Sequence, residues 1–200
     1  MRRNLLATAL LLLVSAPLAA QSTGTPVFHA PYRIFDRYEF GANISDAGNL
    51  AVEGFYGFSR TGAKWDFALR GGVKDNGNNV DASVLIGFDA RYRMIDQSED
   101  FPLDGALITG VGAELISGGS RLMIPIGISL GRRIMFEGSS VSLVPYAEPV
   151  IVPNFGSGES DVAVALGLGA DLRITRRFEL RLGIGIGDIE NFSIGFSIAR

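Results

Sequence analysis

The 200-residue sequence contains no cysteine, one histidine and one tryptophan. Without cysteine there is no disulfide framework, no thiol nucleophile and no thiolate-bound metal. With His29 as the only imidazole, acid–base chemistry of the common kind has one candidate and no nearby partner in the chain. An excess of positive charge is also missing: 18 Lys and Arg stand against 21 Asp and Glu, a net charge of −3. A nucleic-acid partner would call for a basic patch, so none is expected. Long apolar runs are confined to the first 20 residues. Leu5 to Val14 is about ten residues long, and a membrane-spanning helix needs about 20.

That run follows Arg2 and Arg3 and precedes Ser15-Ala16-Pro17-Leu18-Ala19-Ala20, a small-residue cleavage signal. The pattern predicts a secretory signal peptide over 1–20, cut after Ala20. The lack of a following cysteine excludes lipoprotein processing. If the mature chain spans a membrane, it must do so as a closed barrel, because open sheet edges do not survive in hydrocarbon.

Glycine, by contrast, is abundant, with 26 residues, against a usual share of about 7%. It has no collagen-like period and falls mostly inside alternating segments. The clearest of these is 178–199. Phe178, Leu180, Leu182, Ile184 and Ile186 alternate with Glu179, Arg181, Gly183, Gly185 and Gly187. After a break at 188–191, Phe192, Ile194, Phe196 and Ile198 alternate with Ser193, Gly195, Ser197 and Ala199. Period-two alternation puts the large apolar groups on one face of a hairpin. The opposite face is Gly, Ser and Ala with a few charges. A solvated sheet face avoids glycine, whereas the crowded bore of a small barrel suits it. The reading is therefore a transmembrane β-barrel, apolar outside and polar inside.

The same alternation covers the rest of the chain from about residue 38. Further segments run at 38–44, 50–58, 64–70, 80–92, 107–115, 122–130, 141–147 and 162–172, making about ten strands, with eight as the alternative. Pro125 and Pro145 fall within the sixth and seventh, and Pro149 just after the seventh, where a missing N–H marks a bulge or an edge. The domain division is a signal peptide (1–20), a periplasmic N-terminal arm (21–33) and an antiparallel up-and-down barrel (34–200). His29 lies in the arm and is read as an exposed residue rather than a catalytic base or metal ligand.

Counting inward positions along each strand gives a lumen charge network: Glu53, Asp66, Arg70, Asp81, Asp89, Arg91, Glu114, Glu148, Asp171, Arg173, Glu179 and Arg181, with Glu39 and Lys64 besides. Mixed signs predict paired charges that fill the interior, since an unpaired buried charge costs several kcal/mol. The small inward residues Ala165, Gly167, Gly169, Gly183, Gly185 and Gly187 either widen a channel or admit long side chains from the opposite wall. If both barrel ends lie in the periplasm, the turns near 60, 95, 135 and 175 share one side. Tyr38, Tyr56, Phe58, Trp65, Tyr92 and Phe178 gather near those turns on the apolar faces, as an interfacial aromatic girdle would. The longest connection, 95–104, also falls on that side, where connections are usually short. Its carboxylates Asp96, Glu99, Asp100 and Asp104 lack calcium-loop spacing and are read as a solvated loop.

On these features the chain resembles the small outer-membrane β-barrel proteins of Gram-negative bacteria, of the OmpA-like and OmpX-like kind. The last strand carries the motif-like part. Ser193, Gly195, Phe196 and Ile198 fit the polar-x-Gly-x-x-hydrophobic assembly signal of that family, with Arg200 where a terminal aromatic is usual. The resemblance implies outer-membrane lipid as solvent, the barrel-assembly machinery as a transient partner, and a monomer. The Gly183-Ile184-Gly185-Ile186-Gly187 run is no dinucleotide fingerprint, because its glycines alternate within a strand. No cofactor, metal site or catalytic residue is expected. Three functions are compatible with this reading: a non-enzymatic barrel with a filled polar interior, a narrow passive pore, and a secreted soluble barrel with its faces reversed around an apolar ligand.

Overall fold

The computed structural model describes residues 22–46, 48–77, 81–156 and 159–200. The predicted signal peptide and parts of three turns lie outside these ranges. The strands are β1 (Tyr38–Asp46), β2 (Leu50–Ser59), β3 (Trp65–Lys74), β4 (Ser83–Ile95), β5 (Asp104–Ile116), β6 (Gly119–Met123), β7 (Ile126–Gly131), β8 (Ile134–Met135), β9 (Ser142–Gly156), β10 (Glu159–Arg173), β11 (Phe178–Gly187) and β12 (Asn191–Ala199). Sequential strands pair antiparallel, and β12 returns to β1, with Glu39 opposite Ala199 and Ser45 opposite Ser193. The sheet closes on itself and leaves no open edge, as hydrocarbon requires.

β6 and β7 are two halves of one wall position. Both pair with β5 and with β9, and Pro125 lies in the gap between them. β8 is a two-residue extension on β9. The wall therefore has ten strand positions, as the alternation predicts. All turns on the 60, 95, 135 and 175 side share the mouth where β1 begins and β12 ends, called here the terminal mouth. At the far mouth the β3–β4 connection, 75–82, is as long as the β4–β5 connection, 96–103, at the terminal mouth, so the length of 95–104 neither sets the two mouths apart nor marks a miscounted strand.

The faces divide as the periodicity requires. On β2, Ala51, Glu53 and Phe55 are buried while Leu50, Val52 and Tyr56 point outward. Outward rows on every long strand expose Val, Leu, Ile and Phe, among them Leu69, Val73, Ile86, Ile128, Val162, Ile184 and Phe192. The reversed arrangement, a soluble barrel with its apolar face inside, does not hold.

One expectation is overturned. The segment read as an exposed periplasmic arm runs inside the barrel. From Ser22 to Phe35 it passes from the middle and far part of the lumen to the terminal mouth and there joins β1. Thr23, Thr25, Pro26 and Pro31 are fully buried, as are nearly all their neighbours. The cause is the bore: inward glycines and alanines leave a space that ten strands cannot fill with their own side chains. An extended, proline-containing segment has no hydrogen bonds of its own to give up, and the lumen offers it many.

Candidate functional site: a lumen filled by its own N-terminal arm

The lumen has a charged wall and an apolar wall, and the arm lies between them. On the charged wall, the Arg70 guanidinium sits 3.8 Å from Glu53 and 3.5 Å from Asp89, with 1% of its side chain exposed. Arg91 meets Asp66 at 3.1 Å. Arg181 bridges Glu39 at 2.8 Å and Glu179 at 3.1 Å, and Arg173 approaches Glu179 at 3.7 Å. Lys74 pairs with Glu114. These charges interlock as the sequence predicts, and the pairing is what makes their burial tolerable.

Two inward assignments fail. Asp81 precedes β4 in an exposed turn, where it accepts a hydrogen bond from Ser117. The fourth strand begins at Ser83, so alternation counted back to Val80 ran out of the sheet. Lys64 is exposed in the turn before β3. Lys74 was missed because it stands at the end of β3, where the period meets a turn.

The arm is fastened to this wall along its length. Ser22 donates to Asp89 at 2.5 Å, Thr25 donates to Glu53 at 2.5 Å, and the His29 backbone N–H donates to Glu148 at 2.7 Å. In return, barrel side chains satisfy the arm's carbonyls. Ser193 donates to Pro26, Tyr146 to Phe28, Ser129 to His29, Arg91 to both Ala30 and Tyr32, and Arg173 to Arg33. At the terminal mouth, the Tyr32 hydroxyl donates to Asp104 and Arg33 to Ser59. Such hydrogen bonds to charged groups contribute about 1.5–3 kcal/mol each.

The apolar wall is Met123, Val144, Tyr146, Val150, Val152, Ala163, Ala165 and Ile189, packed on Phe28 and Ala30 of the arm. Phe28 occupies a socket made of absent side chains. A Cβ on Gly167 would lie 2.1 Å from the Phe28 ring, and one on Gly185 would lie 3.3 Å from it. Gly169 makes room for the Tyr146 ring in the same way, at 2.3 Å. The small inward residues of β10 and β11 thus neither widen a channel nor simply receive side chains from the opposite wall. Gly167, Gly183 and Gly185 border the arm, and Gly169 the Tyr146 ring that packs on it.

His29 is accordingly largely enclosed, with 18% of its side chain exposed, contrary to its reading as an exposed residue. Its Nε2 lies 3.6 Å from Asp89. Ser22, Asp89 and His29 stand together, but in an order that cannot activate a nucleophile. The serine donates to the carboxylate, so no imidazole nitrogen stands ready to take its proton. Beside them a cavity of about 30 Å³ is bounded by Phe55, Arg70, Arg181 and Ile108. One water needs about 10–15 Å³, so this space suits one or two waters and not an aqueous passage.

The remaining sequence-predicted positions fall as follows. Tyr38, Tyr56, Phe58, Phe67, Trp65 and Tyr92 form a chain of ring contacts on the outer surface of β1–β4, with centroids 4.6–6.2 Å apart. Phe178 stacks on Phe196 around the β12–β1 closure. The girdle thus lines the terminal mouth on one side of the barrel. In the last strand, Ser193 points inward to the arm, Phe196 points outward, and the Asn43 side chain lies over Gly195. The 95–104 carboxylates go to separate partners, Asp96 to Arg93 and Asp104 to Tyr32 and the Gln97 N–H. Among the described residues no group of three or more His, Asp or Glu is arranged to hold a metal ion.

No family model and no curated protein matches the chain. Among solved structures, the β domain of the Bordetella autotransporter BrkA aligns with 82% of this chain and 98% of its own, at 14% identity and a TM-score of 0.55. The N-terminal β-barrel domain of Pseudomonas aeruginosa OprF aligns with 82% and 97% at 13% identity, with a TM-score of 0.36, a level that supports nothing further. The first likeness shows the fold: a closed antiparallel barrel like that autotransporter β domain.

Proposed function

We propose that this chain is an integral outer-membrane β-barrel protein, exported by its signal peptide and closed by its own N-terminal arm. Its role is structural or surface-interacting rather than enzymatic. The observation that carries this reading is the pairing of a lipid-ready exterior with a lumen already occupied. Large apolar side chains are exposed along every long strand, a continuous band where a soluble monomer shows only limited apolar patches. Inside, Ser22 to Phe35 takes the place of water along most of the bore.

The test has two steps. Cell fractionation is expected to recover the protein in the outer membrane, with different gel mobility in boiled and unboiled detergent samples. Recovery as a detergent-free soluble protein would refute the reading. Planar-bilayer recording of the intact protein is expected to show no discrete conductance. A variant lacking residues 22–35 is expected to show one, because the arm is held by side chains and forms no part of the wall. Steady conductance from the intact protein would favour the narrow pore instead.

A further inference from the structure

The terminal mouth carries a recess that the arm does not fill. Three connections build it. The β7–β8 turn supplies Arg133, the β8–β9 hairpin supplies Gly138, Ser139 and Ser140 and leads into Ser142, and the end of β10 with the turn after it supplies Arg173 and Arg176. The recess encloses about 590 Å³.

Its charges are unbalanced. Arg173 has Glu179 at 3.7 Å. Among the described residues, neither Arg133 nor Arg176 has a carboxylate within ion-pair distance. Arg133 is nevertheless held in place: its guanidinium lies 4.5 Å over the Tyr32 ring, and its backbone N–H donates to the Tyr32 hydroxyl at 3.2 Å. Its Nε is buried without a hydrogen-bond partner. Burial first, and the neighbouring Arg173 charge second, push the Arg133 pKa down from its ordinary value. Nature of the donors narrows the complement. Guanidinium forks with serine hydroxyls match tetrahedral phosphate oxygens. The rim is apolar, with Ile134, Met135, Phe136 and Ile174 all exposed beside the recess.

We propose that this recess binds a phosphate group, held by Arg133 and Arg176 with the serines of the β8–β9 hairpin. The phosphate comes either from the headgroup of an anionic lipid, whose chains would lie on the apolar rim, or from a soluble phosphate compound. Only the lipid source rests on the outer-membrane reading above.

The test uses full-length protein purified in a non-ionic detergent, with binding followed by native mass spectrometry and calorimetry. The probes are inorganic phosphate, short-chain phosphatidic acid and, as the phosphate-free control, the matching diacylglycerol. Phosphatidic acid is expected to bind, and the R133Q/R176Q variant is expected to weaken it at least tenfold. R176Q alone, at an exposed turn position away from the arm, guards against a folding defect and is expected to show part of the loss. Tighter binding of phosphatidic acid than of phosphate assigns the lipid source, and equal binding assigns the soluble one. Equal binding of diacylglycerol and phosphatidic acid, binding of neither phosphate-bearing probe, or binding indifferent to both variants would overturn the proposal. Because these titrations are done in micelles, failure of the fractionation test would remove the lipid source and leave a phosphate site standing.

Discussion

At the scale of single residues, the barrel's interior depends on one aromatic ring set against missing side chains. Phe28 packs where Gly167 and Gly185 have no Cβ, and its loss leaves a cavity that the stiff wall cannot collapse into. Phe28→Ala is expected to cost about 3–5 kcal/mol, read as a lower urea midpoint for the loss of the unboiled gel band. Gly167→Leu attacks the same contact from the other side. It is expected to leave the wall closed but release the arm, which limited proteolysis near residues 22–35 would detect. An arm that stays protected in that variant would mean the socket does not hold it. At this scale the sequence was partly legible. Most inward charges followed from parity alone, because a strand allows only two directions. Asp81 failed where parity was carried past the end of β4. Phe28 was out of reach, because the arm has no period and the residues around this ring, Tyr146, Gly167 and Gly185, come from strands more than 100 residues later.

Between elements, the wall is not equally strong all round. Pro145 and Pro153 accept hydrogen bonds from Arg132 and Ile124, so their ring nitrogens face β6 and β7. Pro149, spaced between them, faces the same way. Three donors are therefore missing from one side of β9. The ladder there skips from Gly127–Val150 to Leu130–Ala147, whereas β9 and β10 pair without a break from Ser142 to Gly156. Amides of β7 are expected to exchange with deuterium sooner than those of β10, measured by mass spectrometry in detergent. Pro149→Thr is expected to restore one donor and raise the thermal midpoint, and an unchanged midpoint would argue that the seam is already satisfied. The strands themselves were legible from alternation and turn residues. Their prolines were legible as a disturbance but not as a seam, because the side of the strand they face depends on which neighbour lies there.

For the whole molecule, the outward surface and the two mouths differ in kind. Exposed carboxylates stand at both mouths, Asp75, Asp161 and Glu190 at the far one and Asp36, Asp96, Glu99, Asp100 and Glu137 at the terminal one, but exposed arginines gather at the terminal mouth, among them Arg60, Arg93, Arg132, Arg176 and Arg177. Trp65, the single tryptophan, is 42% exposed and sits in the ring cluster at that mouth. Its fluorescence is expected to be quenched more by lipids brominated near the headgroup than by lipids brominated at the chain end. The opposite order would place the girdle at mid-bilayer. The architecture was the most legible level, since one periodicity repeated along nearly the whole mature chain admits few folds. What the barrel contains was the least legible, because alternation describes a wall and says nothing of the space inside it.

The arm's position also constrains the order in which the molecule can be made. Residues 22–35 precede every described strand, yet they end up enclosed by a ring that seals only when β12, the last of those strands, meets β1. Either the beginning of the chain is already laid in place when the end arrives, or it must be drawn in afterwards through a mouth. Laying it in first lets Glu53, Asp89 and Glu148 go from water to their arm partners with no interval of being shut in short of them. The protein is then a vessel assembled around its own contents, and its last seam is the lid.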